Sequence, residues 1–147
     1  MGIFDSHVMF SRVRGVVLMD GEPIAGAKIT RSWRWAWSGA QGSDEVVTDE
    51  VGAFEFGVQH ERSVTAHLFP HEPVITQKID VTHAGNVYEA WRFSKRNYRV
   101  DGELYTPGPY GQEGAPAAPL VLRCELTQAP GHREPHGVYG ICEIVTE

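Results

Sequence analysis

The sequence predicts an all-β sandwich of about seven to nine strands closed by a C-terminal hairpin, and three observations predict it. Short runs rich in Val, Ile, Thr and aromatic residues alternate apolar with polar positions, the period of a strand with one buried face. The 16 glycines and 9 prolines of the 147-residue chain fall between those runs as turn signals. No long stretch carries the 3.6-residue apolar period of an amphipathic helix. At this length residues 1–147 make about one domain.

Residues 1–11 form a lead-in, and RVRGVVLMD (12–20) reads as a Val-rich strand that ends at the Asp-Gly turn DGEP. The next run, IAGAKITRSWRWAWS (24–38), places Ala25, Ala27, Ile29, Arg31, Trp33, Trp35 and Trp37 on one strand face, with Arg31 interrupting the apolar positions. A strand that long bends or projects beyond its sheet. SGAQGSDE (38–45) reads as a flexible polar loop, and EVVTDEVGAFEFGV as two short strands about a turn with Phe54 and Phe56 inward. SVTAHLF, PVITQKIDVTH and NVYEAWRF follow as strands, Pro70 and Pro73 bracket one turn, and HAGN makes another. Residues 106–119 are a Gly/Pro-rich loop. LVLRCEL and GVYGICEIV close the chain. Paired as a hairpin they set Cys124 nearly opposite Cys142; a disulfide is geometrically possible, and packed thiols are the simpler reading.

Composition narrows function. With 13 Lys and Arg against 19 Asp and Glu, the net charge of -6 argues against nucleic-acid and anionic-membrane partners and favours a basic protein partner. The opening MGIFDSHVMFSRVRG has no apolar run of signal-peptide length and no stretch is long enough to span a bilayer, so a cytoplasmic protein with reduced cysteines is expected.

No nucleophile elbow or phosphate-cradling Gly-rich loop is present. The spacing C-x7-H-x3-H-x5-C over Cys124, His132, His136 and Cys142 offers zinc ligands, but Pro135 and Gly137 break any helix that would align the histidines, and no close Cys pair exists. His67 and His71 straddle Pro70 and read as polar groups of a turn. RFSKRNYR (92–99) interleaves Arg92, Lys95, Arg96 and Arg99 with Phe93 and Tyr98; on an acidic chain it reads as a basic strand edge that discourages sheet association. No cofactor and no enzymatic activity are expected.

The binding candidates are Trp33, Arg34, Trp35 and Trp37, an aromatic strip for which Arg31 and Arg34 suggest a cationic rim, and the acidic hairpin residues Asp44, Glu45, Asp49 and Glu50. One or two of the three indoles belong to the core and the remainder to a protein interface.

Val13, Gly15 and Val17, then Asp20, Gly21, Pro23, Gly26 and Ala27, then Thr48, Asp49, Gly52, Phe54 and Phe56 together resemble the opening of carboxypeptidase-regulatory-like and transthyretin-like domains. The resemblance covers roughly the first 60 residues and implies a sandwich, not a chemistry. The hydrolase branch of that family ends in Tyr-Arg-Gly-Ser, whereas this sequence ends YGICEIVTE, and the two-Tyr, two-His iron set of the related dioxygenases has no counterpart in spacing. The later half looks like small bacterial proteins that begin with the same sandwich and sit beside type VI secretion effectors. That resemblance implies an immunity protein that occludes a cognate effector, a nuclease toxin among the candidates, or an adaptor that docks an effector onto the secretion spike.

Overall fold

The computed structural model describes residues 6–114, 116–133 and 137–145. The chain is an all-β sandwich. Among the described residues the strands are β1 (His7–Phe10), β2 (Val13–Met19), β3 (Glu22–Pro23), β4 (Lys28–Trp35), β5 (Gln41–Val47), β6 (Ala53–Phe56), β7 (Gln59–Glu61), β8 (Ile75–His83), β9 (Asn86–Lys95), β10 (Leu120–Glu125), β11 (Gly131–Arg133), β12 (Val138–Gly140) and β13 (Cys142–Ile144). A five-residue helix, α1 (Val64–Leu68), interrupts them. The strands exceed the expected number because several are only two or three residues long.

One sheet has the order β13-β10-β2-β3, with β6 also on β2; the other has the order β11-β12-β9-β8-β4-β5. β2 and β10 run parallel in register, Leu120 to Val13 through Glu125 to Leu18. The facing sides meet in one core that includes Val13, Val17, Phe54, Phe56, Leu120 and Leu122 from the first sheet and Ile29, Trp33, Ile79, Val81 and Trp91 from the second. Burying that much aliphatic and aromatic surface is the main favourable contribution to folding. Phe54 and Phe56 point inward as expected. Asp20–Gly21 and Ala84–Gly85 all take positive φ, the backbone that tight two-residue hairpins demand.

Five expectations are corrected. Residues 41–45 are not a loop but the greater part of β5, which pairs with β4 over seven residues, from Lys28 with Val47 to Arg34 with Gln41. SVTAHLF is not a strand: the Ser63 side chain accepts from the Ala66 amide at 3.2 Å, an N-cap that starts α1, and Ala66 is the residue the helix buries. β9 is not an edge, because β8 and β12 flank it. The cysteines are not packed thiols either: Cys124 and Cys142 are register partners on β10 and β13, buried, and joined in a disulfide. The chain between those two strands does not turn directly as a hairpin; it crosses to the other sheet as β11 and β12 and returns.

β1 pairs with β7 in a two-stranded ribbon that lies against the inner face of the larger sheet. All four residues of β1 are buried. Three polar residues of the sheet answer its backbone: Lys95 Nζ donates to the Val8 carbonyl at 3.1 Å, Gln77 Nε2 to the Met9 carbonyl at 2.9 Å, and Arg31 Nη1 to the Ser11 carbonyl at 2.9 Å. Glu103 accepts from Ser11 N, Ser11 Oγ and Gln77 Nε2 at 2.8, 2.6 and 3.0 Å. A strand that crosses a sheet cannot use the sheet's own ladder, so side chains satisfy its buried carbonyls.

Candidate functional site

The three tryptophans separate in space. Trp33 and Trp35 sit at inner-face positions of β4, a strand flanked on both sides, and are 4% and 1% exposed. They belong to the core and not to a contact surface. The Trp33 ring lies over Gly42, where an added methyl would come within 2.7 Å of it. β4 ends at Trp35, so Trp37 leaves the strand. Its indole is half-buried, donates to Thr65 Oγ1 at 3.1 Å and stacks on His71 with centroids 4.0 Å apart.

The polar candidates divide too. Arg34 is exposed on the outer face of the sheet, whereas Arg31, expected at a rim, is fully buried. Asp44 turns inward opposite Arg31 and accepts from it twice, at 2.9 and 2.7 Å. Glu45 pairs with Lys28 at 3.4 Å in the open. Asp49 accepts from the Val51 and Ala53 amides and shapes the turn, on which Glu50 is exposed. The acidic hairpin therefore spends Asp44 and Asp49 on the fold. In the basic stretch, Arg92 and Arg96 pair with Glu89 and Glu72, and Lys95 is buried. The zinc set does not converge: the two sulfurs are bonded to each other, His132 packs on Tyr139 in the other sheet, and His136 lies outside the described residues.

Titratable and aromatic groups that the sequence keeps far apart meet at the end of the sandwich under α1. The His7 ring lies 4.5 Å from His67, 4.5 Å from Tyr98 and 5.3 Å from Trp35, centroid to centroid. Tyr98 accepts from Trp35 Nε1 at 3.0 Å, and its hydroxyl stands 2.6 Å from His71 Nε2. His71 Nδ1 is 2.8 Å from the Phe69 carbonyl. A carbonyl only accepts, which assigns the proton to Nδ1; in the neutral ring Nε2 then accepts from the Tyr98 hydroxyl. The chain of bonds runs from Trp35 through Tyr98 and His71 to Phe69, and it ties β4 to the segment after α1.

Burial lowers the His7 pKa, the neighbouring His67 and His71 charges lower it further, and a hydrogen bond to the Glu61 backbone opposes them. Burial raises Tyr98, against the Trp35 hydrogen bond, so the phenol stays protonated. His7 Nδ1 is buried with no partner among the described residues. Beside these groups opens a cleft of about 880 Å³, within the size range of ligand sites, whose wall includes His7, His67, Tyr98 and Arg99 over Val8 and Ala66. Val64, Leu68 and Phe69 on and after α1 are exposed, 42%, 60% and 57%, close to Trp37. The arrangement is suited to binding: a cleft with an apolar floor and a few polar groups held in place, next to a helix segment with exposed apolar side chains.

Residues 13–129 match the profile of a family described as Domain of unknown function (DUF6795). The chain belongs to that family. The DUF6795 match takes in His67, His71, Tyr98 and Arg99 and begins after β1, so His7 lies outside it. No curated protein and no solved structure is similar to the chain. The sequence shows His67 and His71 only as turn residues; no spacing links them to His7, Trp35 or Tyr98, and only the packing of β1 and α1 does.

Proposed function

We propose that this protein is a non-enzymatic protein-binding module that meets its partner with the α1 end of the sandwich. One observation supports the reading above the others: Val64, Leu68 and Phe69 stand exposed in a short segment beside a half-buried tryptophan and a cleft. Apolar and aromatic side chains grouped at one end of a domain are the anchors from which protein interfaces draw most of their energy. The finer reading keeps the immunity role implied by resemblance, in which the module occludes a type VI effector, steered by the net charge of -6 toward a basic partner. We place the encounter in an oxidising compartment rather than the cytoplasm, because a disulfide such as Cys124–Cys142 persists there.

The test is capture from the native lysate under non-reducing conditions, with the wild type and with Leu68→Asp/Phe69→Asp as bait. The expected result is a toxin-like protein on the wild type and at least about tenfold less of it on the variant, with growth protection lost in parallel. Spike components in its place would assign the adaptor role, and equal recovery by both baits would remove α1 from the interface.

A further inference from the structure

The charge of the cleft under α1 runs against the charge of the whole chain. The sequence carries 19 Asp and Glu against 13 Lys and Arg, yet among the described residues no carboxylate lines this cleft, while the Arg99 cation does, beside the imidazoles of His7 and His67. Arg99 is exposed and has no carboxylate partner among the described residues. Its guanidinium lies 4.0 Å from the centre of the Tyr105 ring. Its amide donates to Asn97 Oδ1 at 3.0 Å, and its carbonyl accepts from the buried Lys95 Nζ at 2.7 Å. Asn97 Nδ2 in turn donates to the Gly102 carbonyl at 2.8 Å. A stacked guanidinium on a pinned backbone loses little freedom on meeting an anion, and a planar fork of N–H donors matches a carboxylate.

Beside Ser6, Asn97 and Tyr98, the rest of the wall is apolar. Val8, Ala66, Pro73, Val100 and Ala117 supply it, and Val100 is 56% exposed. A cleft with a hydrocarbon floor and one fixed cation discriminates among ligands by both properties at once. His7 adds a second polar feature, a buried ring nitrogen without a partner at the inner wall.

We propose that this cleft binds an apolar carboxylate, with the hydrocarbon body against Val8, Ala66 and Val100 and the carboxylate on the Arg99 guanidinium. The inference rests on the reading of the α1 end as a binding surface and names the chemistry recognised there. The carboxylate belongs either to a free organic acid or to the C-terminal residue of a polypeptide.

Isothermal titration of the intact, oxidised protein with 4-phenylbutyrate and with 4-phenylbutyramide, which keeps the hydrocarbon and removes the charge, tests the proposal. Saturable binding of the acid, about tenfold or more tighter than the amide, is expected. Arg99→Gln should weaken the acid by about tenfold and leave the amide unchanged, and Arg99→Lys should recover part of the loss. Equal binding of acid and amide, or no saturation by the acid up to about 10 mM, overturns the proposal. A hexapeptide ending in Leu-Phe, with a free or an amidated C-terminus, separates the sources: tighter binding of the free peptide than of the small acid assigns a polypeptide terminus, and the reverse assigns a free acid. Melting temperatures of the Arg99 variants equal to wild type confirm that they fold. Acid binding that survives Leu68→Asp while partner capture is lost leaves both readings standing. Acid binding that fails while capture holds overturns this inference alone.

Discussion

Arg31 occupies the interior of the sandwich with four hydrogen bonds to protein acceptors, two to Asp44 and one each to the Ser11 and Gly57 carbonyls. The rings of Phe10 and Phe56 stand 4.8 and 4.7 Å from the guanidinium carbon. A buried charge is tolerable only when this fully answered, and removing it strands its acceptors. Arg31→Met should therefore cost about 3 kcal/mol, the scale of breaking a buried pair from one side. Arg34→Met, three positions on and exposed on the opposite sheet face, should stay within about 0.5 kcal/mol of wild type. Urea unfolding of the two variants measures the difference, and equal losses would show that Arg31 is as solvated as its neighbour. The alternation read from residues 28–35 was correct in parity, but it gave Arg31 to a rim because nothing local announces that Asp44 and two carbonyls await it inside.

At the scale of elements, β1 is held by side chains more than by strand pairing, and Gln77 is the hub. Its Nε2 donates to the Met9 carbonyl and to Glu103, and its Oε1 accepts from Trp91 Nε1 at 3.1 Å. Gln77→Leu keeps the volume and leaves three buried polar groups short of a partner, so a loss of about 2–4 kcal/mol is expected. Amide hydrogen exchange should rise first in β1 and in the Ser11 region, ahead of β8 and β9; uniform exchange across all strands would show that β1 has no separate opening. The long strands β2, β8 and β9 were legible because each gathers β-branched or aromatic residues between clear turns. β5 was not, because Gly42, Ser43 and Asp44 carry turn chemistry; Trp33 over Gly42 and Arg31 on Asp44 make a strand of it. α1 was hidden by Val64 and Thr65, which favour strands, and depends on the Ser63 cap. The candidate site was illegible for a related reason: its histidines come from β1, α1 and the following loop, and only tertiary packing sets them on Tyr98 and Trp35.

For the whole molecule, three perturbed groups set separate pH windows. His7 titrates below its ordinary 6.5 in the fold, so the unfolded chain takes up that proton first as the solution is acidified. Its contribution to stability is complete above pH 6.5 and is lost as pH falls from 6.5 toward the folded value. Glu125 is lowered from 4.5 to about 2 by the Thr127 hydroxyl and amide and by the Gly21 amide, and its contribution disappears only across that lower range. Lys95 is lowered from 10.5 to about 8 by burial, with Glu103 and Asp101 opposing, so its part of the stability grows as pH rises between those values. The His7 window is the one nearest neutrality, and His67, His71 and Tyr98 face that ring from α1, the loop after it and the loop after β9. Denaturant unfolding between about pH 7.5 and 5 should therefore show stability declining below 6.5 by up to about 1.4 kcal/mol per pH unit, the slope of one proton. His7→Gln removes that proton and should flatten the decline down to about pH 5 while leaving the acid loss assigned to Glu125 in place. An unchanged slope in the variant would show that the decline below pH 6.5 does not come from the His7 ring.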